Sequence, residues 1–158
     1  MKRGQAFDTM MLVISVIVAV AILGMLLGFL GGIGSFGAKY SDVIPDLVKK
    51  INTQGVGITL QEKVEFSVGG MNPFVAQNAI GTAPISSDNV KFSCVSGDNL
   101  CGTDNPLDVE DGSIMINQKI TATVAVCYND QKSTTYHIII GSVTKNVRNA
   151  AMTLCDLG

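Results

Sequence analysis

Histidine is nearly missing from this 158-residue chain, which has one, His137. It lies in Tyr136-His137-Ile138-Ile139-Ile140, a run that reads as a strand. A lone strand histidine is more often a surface or satisfied residue than a catalytic base. Charge is scarce too: 15% of residues are Asp, Glu, Lys or Arg, and the formal net charge is −2. With no basic patch, no nucleic-acid partner is expected. No serine stands in a nucleophile-elbow pattern, and no glycine-rich stretch carries the lysine of a phosphate loop. Internal repeats and low-complexity tracts are missing as well. These absences point away from an enzyme and toward a protein that needs no cofactor.

What is present is concentrated at the N-terminus. A short basic head, Met1-Lys2-Arg3-Gly4, runs through Gln5-Ala6-Phe7-Asp8 into an uncharged segment from Thr9 to Ala38. Its densest part, Met10 to Leu30, is about the ~20 apolar residues that a helix needs to cross a bilayer. It shows no polar stripe, unlike the helix of a soluble domain. A secretory signal peptide is the nearest rival, but its apolar region is usually only ~7–15 residues and ends at a small-residue cleavage site. The longer run here is expected to stay on the mature protein. Lys2 and Arg3 precede it, so the positive-inside tendency puts the N-terminus in the cytoplasm and everything after Ala38 outside, with Lys39, Lys49 and Lys50 pulling weakly the other way.

The remainder has the length of one domain. Gly31, Gly32, Gly34 and Gly37 lower helix propensity and predict a hinge or fraying point. Ser41 or Asp42 can then cap a short amphipathic helix with Ile44, Leu47, Val48 and Ile51 at helical spacing, Pro45 in its first turn and Gly55 and Gly57 as its stop. Beyond it the pattern is β. Ile58–Gln61 and Val64–Val68 alternate apolar with polar, and Val90, Phe92 and Cys94 repeat that period. Ile114 and Ile116 lead toward Ile120, Ala122, Val124 and Val126, as one long strand or a bulged pair. The Asn129-Asp130 turn then predicts an antiparallel hairpin with Thr134 to Val143. Residues 69–89 read as edge strands or loop, and Asn146 to Leu154 as a last strand or a short helix. The fold class expected is α+β: a long N-terminal hydrophobic helix followed by a β-rich, mostly antiparallel globular head.

Four cysteines, Cys94, Cys101, Cys127 and Cys155, all follow the apolar segment. An even number in a small exported domain reads as a disulfide framework. Three pairings are possible. Cys94 and Cys101 bracket the turn-rich Val95-Ser96-Gly97-Asp98-Asn99-Leu100, and a local bridge there leaves Cys127 for Cys155. The rival reading is zinc, but six residues separate Cys94 from Cys101 and only one histidine is at hand. Asp104, Asp108, Glu110 and Asp111 could hold calcium, yet they lack the spacing of a known calcium loop, so a solvated loop is the better reading. In the apolar segment Gly24, Gly28 and Gly32 recur four apart. They either line a face that lets another helix approach closely or reflect how common glycine is in membrane helices. Asp8 sits at the cytoplasmic interface or beside a positive partner.

Lys2-Arg3-Gly4 followed by Gln5, with the apolar helix after the glycine, resembles the class III signal peptide of archaeal type IV pilin-like proteins. The resemblance covers about the first thirty residues. It implies that a prepilin-type peptidase cuts between Gly4 and Gln5, leaving Gln5 as the mature N-terminus and the apolar helix as a filament core. That family often has glutamate at the fifth mature position, where it meets a neighbour's terminal amine. Here Thr9 holds that position and Asp8 is one place earlier. The organisation that follows is a leader at residues 1–4, the hydrophobic helix with its glycine-rich end at 5–38, a short amphipathic helix at 39–54 and an extracellular β-rich head at 55–158. The function expected is a structural subunit of a surface filament, partnered by the membrane before assembly, copies of itself, the peptidase and the assembly machinery. The alternative is a singly anchored surface binding module or secretion-apparatus component that never polymerises. A membrane-tethered hydrolase is disfavoured for want of convergent polar residues. The sequence names no ligand for the head.

Overall fold

Thirty-four consecutive helical residues, Lys2–Ser35, form α1 in the computed structural model, which describes the backbone of residues 2–35 and 38–158 and the side chains of residues 4–26 and 38–158. The chain divides into two units, 1–36 and 37–158. In the first, α1 is helical straight through Gly4, with no break between Gly4 and Gln5. It also continues past Gly31, Gly32 and Gly34 to Ser35, so the glycine cluster does not end the helix where fraying was expected. Glycine costs about 1 kcal/mol per helical position, which weakens a helix without stopping it. Gly37 lies outside the described residues.

The second unit is built on α2 (Tyr40–Gln54) and two sheets. β1 (Ala38–Lys39) pairs in parallel with Val64 and Glu65 and leads directly into α2. Lys39 therefore occupies the capping position, no side chain caps the helix, and Ser41 and Asp42 fall inside it rather than at its start. Pro45 consequently lies beyond the first turn. The apolar face is as the spacing predicts, Ile44, Leu47, Val48 and Ile51, with Tyr40 added at the first position. Because that face lies in the main core of the head, α2 is part of the head domain and not a separate segment before it.

β2 (Gly57–Phe66), β7 (Ile120–Tyr128), β8 (Tyr136–Gly141) and β4 (Val90–Cys94) complete the larger sheet, in the order β1-β2-β7-β8-β4. Its central pairs, β2–β7 and β7–β8, are antiparallel, while β1–β2 and β8–β4 at its two edges are parallel. The smaller sheet, β3 (Phe74–Val75), β6 (Ser113–Ile116) and β5 (Leu107–Glu110), is antiparallel throughout, in the order β3-β6-β5. Residues 69–89 thus contain one edge strand, a short helix α3 (Ala76–Ile80) and a 3-10 turn at Ser87–Asn89. Ile114 and Ile120 are not on one long strand. Asn117 and Gln118 donate to the Pro106 carbonyl and turn the chain from one sheet to the other. The acidic loop expected at Asp108 and Glu110 is β5, whose Leu107 is fully buried.

Alternation places the core on both faces of the larger sheet. Ala122, Val124 and Val126 of β7 and Tyr136, Ile138 and Ile140 of β8 pack with α2 and the smaller sheet. Ala125, Cys127 and Ile139 face the other way, against Val147, Ala151 and Cys155 of the last helix, α4 (Val147–Leu154), and its end. β2 changes face along its length. Ile58 and Leu60 pack on the α4 side, whereas Val64 and Phe66 are on the α2 side. A bulge between Gln61 and Val64, with Lys63 at a positive φ of 56°, adds the one residue that reverses the alternation.

Candidate functional site

α1 carries most of the residues singled out from the sequence. Every described residue from Gly4 to Leu26 is exposed, and this stretch is long and apolar enough to cross a membrane. Fourteen large apolar side chains from Phe7 to Leu26 face outward, Met10 at 67% and Leu12 at 65% exposure. Left in water, such a surface costs on the order of 20 kcal/mol, so it has to be covered by lipid or protein. The polar residues inside it are satisfied locally: Thr9 Oγ donates to the Gln5 carbonyl at 2.8 Å, and Ser15 Oγ to that of Met11 at 2.8 Å. Such back-bonding lets hydroxyls sit in apolar surroundings without orphaned donors.

Gly4 and Gln5 are exposed, as is Asp8. At Gly24 an added Cβ would meet no atom within 4 Å, so within one copy nothing requires glycine there. The side chains of Lys2 and Arg3, and the surroundings of Gly28 and Gly32, lie outside the described residues. α1 thus places Gly4, Gln5, Asp8 and Gly24 along one continuous apolar rod and brings none of them against a catalytic group.

In the head, Cys94 is joined to Cys101 and Cys127 to Cys155, with Cα separations of 6.4 and 6.2 Å, and no cysteine among the described residues is free to bind metal as thiolate. The first bridge ties the end of β4 to the segment leading into β5. The second fastens β7 to the C-terminal end of α4 and lies in the core beneath that helix. Asn129 supports it by donating from Nδ2 to the Cys155 carbonyl at 3.0 Å. Asp111 pairs with Lys91 at 3.7 Å, and the acids around β5 do not converge into a metal-binding group among the described residues.

His137 pairs across the sheet with Lys91 on one side and Cys127 on the other. Burial pushes its imidazole below the ordinary value, the Lys91 ammonium adds to that, and the Asp111 carboxylate opposes it. No nucleophile stands beside it in either pairing. Sequence reading missed the aromatic anchors of the head. Tyr40 stacks on Phe66 at 5.2 Å, meets Phe74 edge-on at 5.2 Å and donates its hydroxyl to the Met71 carbonyl at 2.6 Å. Tyr128 stacks on Tyr136, whose hydroxyl donates to Asn52 Oδ1 at 3.1 Å. Tyr40 stands four residues before Ile44, so the helical spacing carried back by one turn is the signal that could have found it.

The chain's own geometry therefore offers a long exposed apolar helix suited to a membrane anchor, and a disulfide-linked head suited to an oxidising, extracellular setting. Comparison with known proteins adds nothing to this: no family model matches the chain, and no curated protein or solved structure matches it significantly.

Proposed function

We propose that this protein is a structural subunit of an archaeal type IV pilus-like surface filament, held in the membrane by α1 before assembly and packed through α1 afterwards. The observation that carries the reading is the apolar stretch of α1 that follows Lys2-Arg3-Gly4-Gln5, exposed at every described residue as far as Leu26. A helix keeps its backbone bonds internal, so it can leave lipid for a bundle of equivalent helices without exposing polar groups. Glycines at 24, 28 and 32 would let such helices approach closely. In this reading a prepilin-type peptidase removes residues 1–4, and the head, which has no catalytic role, faces outward.

Mass spectrometry of the native N-terminus tests the pathway. A chain starting at Gln5 supports it, whereas an intact Met1 or Lys2 would leave only an anchor. The filament itself is tested by electron microscopy of cells carrying Gly24→Leu with Gly28→Leu. The expected result is normal membrane abundance with loss of surface filaments, and wild-type cells without filaments would sink the proposal. The position of Asp8, one place ahead of the acid that the family often carries, favours a second reading: a singly anchored surface module that does not polymerise. That reading expects the double leucine variant to display its head unchanged.

A further inference from the structure

A sheet edge carries a row of unpaired N–H and C=O groups, which folded proteins keep short, charge or cover so that no other chain adds to it. Most edges of this head are treated in that way. β1 and β3 are two residues long. β5 carries Asp108 and Glu110, and the Leu107 N–H donates to the Leu100 carbonyl at 3.1 Å. β4 is covered at its centre, where the Phe92 N–H donates to the Asp111 carbonyl at 2.9 Å. The outer side of β2 is different. β1 covers it only at Val64 and Glu65, and among the described residues no strand pairs with Gly57–Gln61 on that side. This stretch, Gly57-Ile58-Thr59-Leu60-Gln61, has neither a charge nor a proline.

Which backbone groups are free follows from the ladder. The Val95 N–H donates to the Ile140 carbonyl at 2.9 Å, so Tyr136, Ile138 and Ile140 turn their backbone groups to β4 while His137 and Ile139 turn theirs to β7. Cys127 and Ala125, opposite those two, therefore bond to β8. Val124, Val126 and Tyr128 bond to β2, through Gln61, Thr59 and Gly57. Ile58 and Leu60 are left with N–H and C=O directed outward, and none of these groups has a protein partner among the described residues. Their side chains are half-buried on the α4 side, whereas Thr59 lies on the α2 side, its hydroxyl donating to the Leu47 carbonyl at 3.4 Å.

We propose that Gly57–Gln61 binds a second copy of this chain, the two β2 edges pairing antiparallel about Thr59 and joining the larger sheets of the two heads. The occupant follows from the other edges: because they are short, charged or covered, the uncharged, open edge that another copy offers is this same segment. The contact is isologous, so one patch serves both sides. Only the register centred on Thr59 uses every free group. It sets Ile58 opposite Leu60 of the second copy, and Leu60 opposite its Ile58, each pair exchanging both of its bonds. Thr59 then meets its own counterpart at the two-fold axis, and exposed Val56 approaches Glu62 of the second copy, so like charges are not opposed. The inference stands on the head alone and does not depend on the filament.

The test is disulfide cross-linking of the full chain in detergent micelles, with Thr59→Cys compared with Gln61→Cys. Facing residues in a pair without mutual hydrogen bonds have Cα atoms about 4.5 Å apart, within reach of a disulfide. Thr59→Cys should therefore give a covalent dimer. Gln61 lies about 13 Å along the strands from its own counterpart in this register, so Gln61→Cys should stay monomeric. No dimer with Thr59→Cys, or as much with Gln61→Cys, would overturn the proposal. Ile58→Pro separates this contact from association through α1. It deletes an outward N–H and leaves the β7 ladder intact. By symmetry it removes half of the shared bonds, and self-association should weaken about tenfold or more. A dimer undiminished by Ile58→Pro would place the contact elsewhere and equally overturn it. Hydrogen exchange of the wild type needs no variant to fold. The Ile58 and Leu60 amides should slow about tenfold as the protein is concentrated, while those of Thr59 and Gln61 stay protected throughout. Fast exchange at Ile58 and Leu60 at every concentration would refute the pairing.

Discussion

Single residues set several limits of the head. A Cβ at Gly141 would come within 2.7 Å of a Val95 methyl and 2.8 Å of a Val147 methyl, closer than any carbon contact tolerates. Gly141→Ala should destabilise the head by about 1–3 kcal/mol through overpacking, read as a lower Tm, and an unchanged Tm would contradict the packing described. His137 makes a pH-dependent contribution of definite sign. Burial holds its folded value below the ordinary 6.5, so the unfolded chain takes up the proton first as pH falls. The stability tied to this group is complete above about 6.5, declines below it, and stops declining once the folded imidazole also protonates. Denaturant midpoints of wild type and His137→Gln at about pH 7.5 and about pH 5.5 check this. Wild type should lose more of its midpoint on acidification than the variant, and parallel losses would remove His137 as the cause.

At the scale of elements, the β2 bulge does the most with the fewest atoms. Strand alternation allows one face per parity, yet even-numbered residues of β2 line both cores, Ile58 and Leu60 under α4 and Val64 and Phe66 under α2. The extra residue makes this possible. Deleting Lys63 restores simple alternation and forces one of the two apolar pairs to the wrong face. A loss of more than about 3 kcal/mol is expected, since two large side chains leave the core. Circular dichroism and amide dispersion would report an unfolded or molten head, and a native-like spectrum would refute the face switch. α2 and β5 show the opposite lesson. The stripe of α2 was readable because four apolar residues fit one helical face. β5 was not, because only Leu107 and Val109 mark its period and acids stand between and after them.

For the molecule as a whole, the two disulfides close loops of different size and sit in different surroundings. Cys94–Cys101 spans a separation of 7 residues and is half-buried, whereas Cys127–Cys155 spans 28 and lies in the core beneath α4. Chain entropy gives the longer loop about 3.6 kcal/mol and the shorter about 2.5 kcal/mol. Paired alanine substitutions should therefore lower denaturant stability more for Cys127 with Cys155 than for Cys94 with Cys101. The reverse order would mean that the short bridge, which fixes the edge strand β4 to the segment before β5, matters beyond its loop entropy.

The apolar helix, the α2 stripe, the β7–β8 hairpin and the local cysteine bridge were legible in the residues themselves. Each depends on neighbours within a few turns or one tight connection, where periodicity and turn chemistry act directly. Sequence also supplied the basic head and glycine ahead of α1, on which the filament proposal rests. What only the tertiary structure decided are the pairings between distant segments: β1 alongside β2, β4 in parallel with β8, the smaller sheet, and the face switch in β2. These contacts have no local period, because their energy comes from surfaces that meet only after the chain has folded.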